Sequence, residues 1–419
     1  MEETQRRCAP VWLMGLSNAT FGLVGGFVVL PLPMMLAAEG VSVERISAIS
    51  AACFLPGFWA FLLGPLLDIR FSRRWYAALF AVLAGVALCA AVLLRAHLVW
   101  FEAMVIVAYA AATLNSNALG GWLAGIVPEG EGATVFESRL SAWTQVGLFL
   151  GNGLMAGLAA ESLRVLPLAL TAVLLGTLVA LPALIFFWIP VPAREVEQAR
   201  RLAASFHEFF REIWILLKKR ETLLTTLLFL APTGAFALTN MLGGVAADFH
   251  APEAFVSRMG GAALSIAGAA SCLLLPVLAR KVRPLPLYLL IGTVGSVFTL
   301  VLLVLPRTPV TFAVAFVGEN VVQALSFTAA VAICFEVIGR NNPLAATQFG
   351  LLTAMTVIPI VYMGRLDGRV YGRAWGGHAA LHGMTGTMLV DGGLSLLACV
   401  VMFVVMRRLA RRMRLASAA

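Results

Sequence analysis

VWLMGLSNATFGLVGGFVVLPLPMML, residues 11–36, carries no charge, and Asn18 alone interrupts its apolar and small side chains. Crossing a hydrocarbon core of roughly 30 Å takes about 20 such residues in a helix. The run is long enough to do so with a modest tilt. Eleven stretches of the same kind follow, at 46–67, 75–94, 99–127, 140–160, 165–189, 223–246, 260–278, 285–305, 310–337, 345–364 and 386–406. Of 419 residues 61% are hydrophobic and 12% charged, and the mean hydropathy is +0.93. Water-soluble packing cannot hide that much apolar surface. Lipid offers the backbone no hydrogen bonds, so spans must be helices or a closed barrel. Barrel strands alternate over about 10 residues, and these runs do not. The expected fold is an all-α membrane protein of twelve transmembrane helices in two pseudo-symmetric six-helix bundles.

Lys and Arg set the orientation. With twelve spans and the N-terminus inside, 22 of the 30 basic residues fall in inner segments and 8 in outer ones. The positive-inside rule then places both termini in the cytoplasm. A cell inner membrane is the expected location. The net charge of +9 follows from that bias. The basic residues are spread over many short loops, which argues against nucleic acid as a partner. Lipid head groups are the expected contact, above all at the basic run 407–414. Five of six cysteines lie within apolar spans and Cys8 lies outside them, a pattern with no disulfide framework or zinc spacing. The first run is too long for a signal-peptide core and reads as helix 1.

The segment 190–221 is the natural boundary. It begins Pro-Val-Pro and continues RLAASFHEFFREIWILLKKR, with Leu202, Phe206, Phe209, Phe210, Ile213 and Leu217 at helical spacing. That is an amphipathic helix of the membrane interface. Three parts are expected: an N-terminal bundle (1–189), a cytoplasmic amphipathic linker (190–221) and a C-terminal bundle (222–419). The halves look related. LLGPLLDIRFSRR from Leu62 parallels LLLPVLARKVRP from Leu273, aligning Pro65 with Pro276 and Arg70 with Lys281. Paired six-helix halves are the architecture of a large class of transporters.

Polar groups inside spans are costly and mark functional positions. Glu319, Asn320 and Gln323 fall together in the tenth run, with Glu319 and Gln323 four apart on one helix face. Glu319 sits roughly 13 Å along its span at ~1.5 Å per residue, near the midplane. Asp391 lies several residues into the twelfth. A carboxylate at that depth must be solvated, paired or protonated, which suits both for proton coupling. Asn18, Asn115, Asn117, Gln145, Asn152, Asn240, Asn320 and Gln323 supply neutral donors and acceptors for a polar substrate, or act as glue between helices. Gly147, Gly151, Gly153 and Gly157 have the small-residue spacing of close helix packing. The five histidines sit at span ends or in loops, so no metal site is expected; the pair His378 and His382 reads as part of a Gly-rich loop. No Walker motif is present, and neither ATP nor another cofactor is expected.

The stretch Gly64-Pro-Leu-Leu-Asp68-Ile-Arg70-Phe-Ser-Arg73-Arg74 resembles the inner-loop signature of the major facilitator superfamily, G-x-x-x-D-[RK]-x-G-x-[RK]-[RK]. Gly64, Asp68, Arg73 and Arg74 match; Ile69 and Phe71 depart from it. The resemblance implies an inner gate, in which an Asp at a helix end pairs with Arg and with a neighbouring helix N-terminus. Two further stretches, ALGGWLAGIVPEGEGATVFESRLSAWTQVGLFLGNGL and NNPLAATQFGLLTAM, are similar to the peptide–acetyl-coenzyme A transporter branch, which includes muropeptide permeases and siderophore importers. The second stretch adds Gln348 to the expected substrate ligands. Muropeptide permeases carry acidic residues in helix 4, where this chain has Asn115 and Asn117. The resemblance therefore leans towards a siderophore-importer-like member.

The expected function is secondary active transport of a polar organic solute, siderophore or muropeptide-like, by alternating access and proton coupling, in a monomer. An efflux pump of the same fold is the alternative. A membrane-embedded transferase is a further one, but no cluster of acid, His or metal ligands at a membrane face supports it, and no enzymatic activity is expected.

Overall fold

The computed structural model describes residues 9–418 except 129, 131, 193–196, 198, 200–205, 253–254, 257–258, 260–262 and 373–382. Cys8, His378, His382 and much of the expected linker before Phe206 lie outside the described residues. Every regular element among the described residues is helical.

Among the described residues, ten helices have the length and composition to cross a membrane. Six come first: α1 (Val11–Ala38), α2 (Ala48–Leu67), α3 (Arg73–Leu93), α4 (Leu98–Gly125), α5 (Ala133–Val165) and α6 (Leu168–Phe187). The amphipathic α7 (Phe206–Lys218) follows. After it come α8 (Arg220–Leu230), the short α9 (Leu238–Leu242) and α10 (Leu264–Leu278). The chain closes with α11 (Pro284–Val304), α12 (Pro309–Ile338), α13 (Ala345–Gly372) and α14 (Gly383–Arg408). Large aliphatic side chains stand exposed along these helices, Val99 at 73% and Val304 at 81% among them. Such surface is stable only with lipid as the solvent.

The expected seventh span, 223–246, differs. It is split into α8 and α9, with a 3-10 turn Gly243–Phe249 beyond. Pro232 has no N–H to donate and its ring clashes with the preceding turn. The chain then passes through Phe236 at φ 45°, a left-handed conformation. The freed carbonyls are not left bare: Gln323 Nε2 donates to Ala235 O at 3.0 Å and to Phe236 O at 3.2 Å. Re-satisfying the backbone in this way is what permits a break at membrane depth.

The chain folds as two compact units. Unit 1 comprises Met1–Thr222 and Cys334–Ala354; unit 2 comprises Leu223–Ile333 and Met355–Ala419. In unit 1, α1 packs on α5 through glycines. A methyl group on Gly15, Gly22 or Gly26 would overlap the α5 backbone at Trp143, Leu148 or Asn152. Gly147 and Gly151 receive α1 from the other side, while Gly157 faces open space. Lipid is as apolar as the helices, so such close backbone approach supplies the packing energy. In unit 2, Phe249, Phe312 and Phe316 pack edge-on and tilted against one another beside Met384 and Met388.

Candidate functional site

Asp68 lies at the end of α2 and is fully enclosed. Its Oδ1 accepts from Arg73 Nε at 2.7 Å and from the Ala346 amide at 3.0 Å. Its Oδ2 accepts from the Thr347 amide at 2.8 Å and from Thr347 Oγ1 at 2.7 Å. Ala346 and Thr347 open α13, where helix amides have no partner within the helix. Asp68 therefore caps a helix far away in sequence, with the helix dipole and Arg73 both favouring its charge. Arg73 in turn donates to the carbonyls of Asn342 and Pro343, at 3.2 and 3.0 Å. Gly64 is required here because an added Cβ would lie 2.9 Å from Thr347 Cα. The loop after Asp68 turns through Arg70 at φ 70° and is held by Tyr76 Oη, which donates to Ile69 O. Arg74 does not join Asp68. Its guanidinium covers the Trp75 and Phe187 rings at 5.8 and 5.1 Å.

The other sequence-selected residues of unit 1 are placed as follows. Gln348 Nε2 donates to Thr222 Oγ1 at 2.9 Å, and its Oε1 accepts from Asn342 Nδ2. Asn115 is enclosed and donates to Ala77 O at 2.7 Å, leaving its Oδ1 without a partner. Asn18 reaches Thr144 O at 3.5 Å, and its Oδ1 also has none. Asn117 packs against Gly350, and Gln145 is buried. Asn152 is half-buried, with an unpartnered Oδ1.

Unit 2 holds the intramembrane carboxylates. Glu319 is fully buried on α12; Thr299 Oγ1 of α11 donates to its Oε1 at 2.5 Å, and Oε2 has no partner. Asp391 on α14 is 2% exposed, within reach of the Leu238 amide, with Oδ1 unpartnered. A third carboxyl joins them. Asp367 on α13 is fully buried, neither of its oxygens has a partner, and it interacts electrostatically with Glu319 and Asp391. Thr387 of α14 donates to the Asp367 carbonyl at 3.5 Å and so ties α13 to α14. One turn beyond Asp367, Tyr371 Oη donates to both oxygens of Asp248, at 3.1 and 3.0 Å. Asn320 is buried with a free Oδ1, and Asn240 is exposed.

The sequence reading ends the eleventh span at residue 364 and so leaves Asp367 outside. The helix runs on to Gly372. Met363, Asp367 and Val370 are buried at helical spacing while Arg365 and Arg369 are exposed. That periodicity was the available signal, masked by the two arginines. No group of three or more His, Cys, Asp or Glu among the described residues has the geometry to hold a metal ion.

A family description, Major Facilitator Superfamily, matches residues 14–362. The chain belongs to the major facilitator superfamily. Solved structures superpose on 94% of this member. A proton:xylose symporter bound to 6-bromo-6-deoxy-D-glucose superposes with a TM-score of 0.66 at 14% identity, covering 94% of each chain. The E. coli fucose:proton symporter gives 0.67 at 14% identity, covering 94% of this chain and 98% of its own. A human organic anion transporter gives 0.62 at 17%, again covering 94% and 98%. No curated protein matches the sequence significantly. At these identities the superpositions establish the fold, and family membership makes this superfamily member a membrane transporter.

Proposed function

We propose that the protein is a proton-coupled secondary transporter that moves a siderophore- or muropeptide-like solute across the inner membrane by alternating access between two six-helix halves, 1–189 and 222–419, joined by 190–221. The observation that carries proton coupling is the set of buried, incompletely bonded carboxyls Glu319, Asp367 and Asp391. A carboxyl at membrane depth is expensive unless paired or protonated, and its retention implies use. The fold neighbours that transport xylose and fucose are described as proton symporters, which favours the same coupling here. Glu319 and Asp391 exchange the proton. The broken segment between α8 and α9 borders the site through Gln323 and Asp391, an arrangement that suits solute binding at a discontinuous helix. The unpartnered buried oxygens of Asn18, Asn115 and Asn152 in unit 1, and separately of Asn320 in unit 2, support a role for these amides in handling a polar solute. Asp68, Arg73 and Gly64 hold the cytoplasmic gate, and Arg74 supports it by stacking on Phe187.

The test uses the purified full chain in liposomes with an inside-alkaline pH gradient. Uptake of a labelled ferric siderophore and of a disaccharide–peptide is compared with and without a protonophore. Protonophore-sensitive accumulation of either solute is expected. Downhill equilibration unaffected by the gradient would refute coupling, and accumulation of neither would refute the substrate class.

A further inference from the structure

Helix α7 carries two apolar stripes where an ordinary surface helix has one. Phe209, Ile213 and Leu216 pack with Ile69 and Leu344, the neighbours of Asp68 and of the α13 start. The second stripe, Phe210, Trp214 and Leu217, is 56%, 60% and 45% exposed. At 3.6 residues per turn, the positions bordering this second stripe are His207, Lys218 and Arg211. Glu208 and Glu212 fall at the opposite edge of the helix. Lys218 Nζ lies over the Trp214 ring at 4.4 Å, and Lys219 and Arg220 continue the basic run directly into α8. A groove of about 290 Å³ lies between α7 and the 338–344 loop, and Leu216 packs on Leu344 at its edge.

Aromatic side chains bordered by Lys218 and by Arg211, which lies 3.8 Å from Glu212, complement an apolar layer beneath an anionic surface. Because α7 leads into α8, which opens the apolar run 223–246, that surface is within its reach. We propose that α7 is a membrane strap: Phe210, Trp214 and Leu217 enter the lipid interface, Lys218 binds anionic phospholipid head groups, and Leu216 transmits this binding to the Asp68–Arg73 gate. The transmission, but not the lipid binding, rests on the gate reading above. Anionic lipid then favours the closed gate, because anchoring α7 holds Leu216 against Ile69 and Leu344.

Hydrogen–deuterium exchange separates these statements. The full chain is placed in nanodiscs of phosphatidylcholine, with or without phosphatidylglycerol, and peptides covering 206–218 and 344–348 are followed. Phosphatidylglycerol is expected to slow exchange in both, and high salt to reverse the effect. Lys218→Gln should weaken the lipid effect about fivefold, and Trp214→Ala with Lys218→Gln should remove it from both peptides. Leu216→Ala should keep protection at 206–218 and lose it at 344–348. Asp68→Asn tests the gate separately: unchanged exchange at 344–348 in that variant refutes the gate while leaving the lipid arm intact. Exchange at 206–218 that ignores phosphatidylglycerol would overturn the strap, and so would a lipid effect that survives the double substitution.

Discussion

At the scale of residues, Asp68 and Asp367 are opposites. Asp68 accepts four hydrogen bonds; Asp367 accepts none through its carboxyl oxygens. Hydrogen bonds to a charged group contribute about 1.5–3 kcal/mol each in net terms. Asp68→Asn should therefore destabilise the gate-closed state by about 2–4 kcal/mol while leaving the bundles folded. Faster cysteine labelling at Pro343→Cys, measured with and without the Asp68 change, would register it; equal labelling rates would refute it. Asp367→Asn removes charge without removing a bond, so the variant should melt no lower than the parent and lose gradient-driven accumulation. A large fall in melting temperature would instead show that Asp367 has a structural partner. Asp68 was legible in the sequence because its loop repeats a known pattern of Gly, Asp and Arg. Arg74 matches that pattern too, yet it turns to an aromatic ring, a choice made by Phe187 from 113 positions away. Gln323, as a polar group within a span, and Gln348, through the branch resemblance, were expected as substrate ligands. Their partners, Thr222 and the carbonyls of Ala235 and Phe236, depend on tertiary packing that no local spacing encodes.

At the scale of elements, glycine spacing on α5 was visible from sequence, but not which glycines meet α1. The contact falls at Gly147 and Gly151 and leaves Gly157 facing open space. Gly22→Ala should cost about 1–3 kcal/mol, as overpacking does. Gly157→Ala should be neutral or stabilise by up to about 1 kcal/mol, because it removes helix-interior glycine without a clash. Thermal unfolding in detergent distinguishes the two, and equal effects would refute the packing account. The interrupted span between α8 and α9 was hidden for a different reason. Hydropathy measures composition, and a broken segment that lines a protein interior is as apolar as an intact helix. Pro232 and Gly234 were the local signal.

At the scale of the whole molecule, apolar run length made the all-helical membrane fold legible, and the family match carries it from residue 14 to 362. Substrate identity was not legible, since neutral amides bind many polar solutes. Orientation remains an expectation from the Lys and Arg distribution, and it has a direct check. Single cysteines at Ser417 and Thr308 should label from opposite membrane faces; labelling from one face would refute an N-in, C-in chain. The central claim is that the buried carboxyls couple proton movement to solute movement, and Glu319→Gln in proteoliposomes tests it most directly. The amide mimics a protonated carboxyl, keeps the Thr299 contact and cannot release a proton. The variant should lose uptake driven by a pH gradient yet still exchange labelled for unlabelled solute at equilibrium. Undiminished accumulation under the gradient would contradict the account.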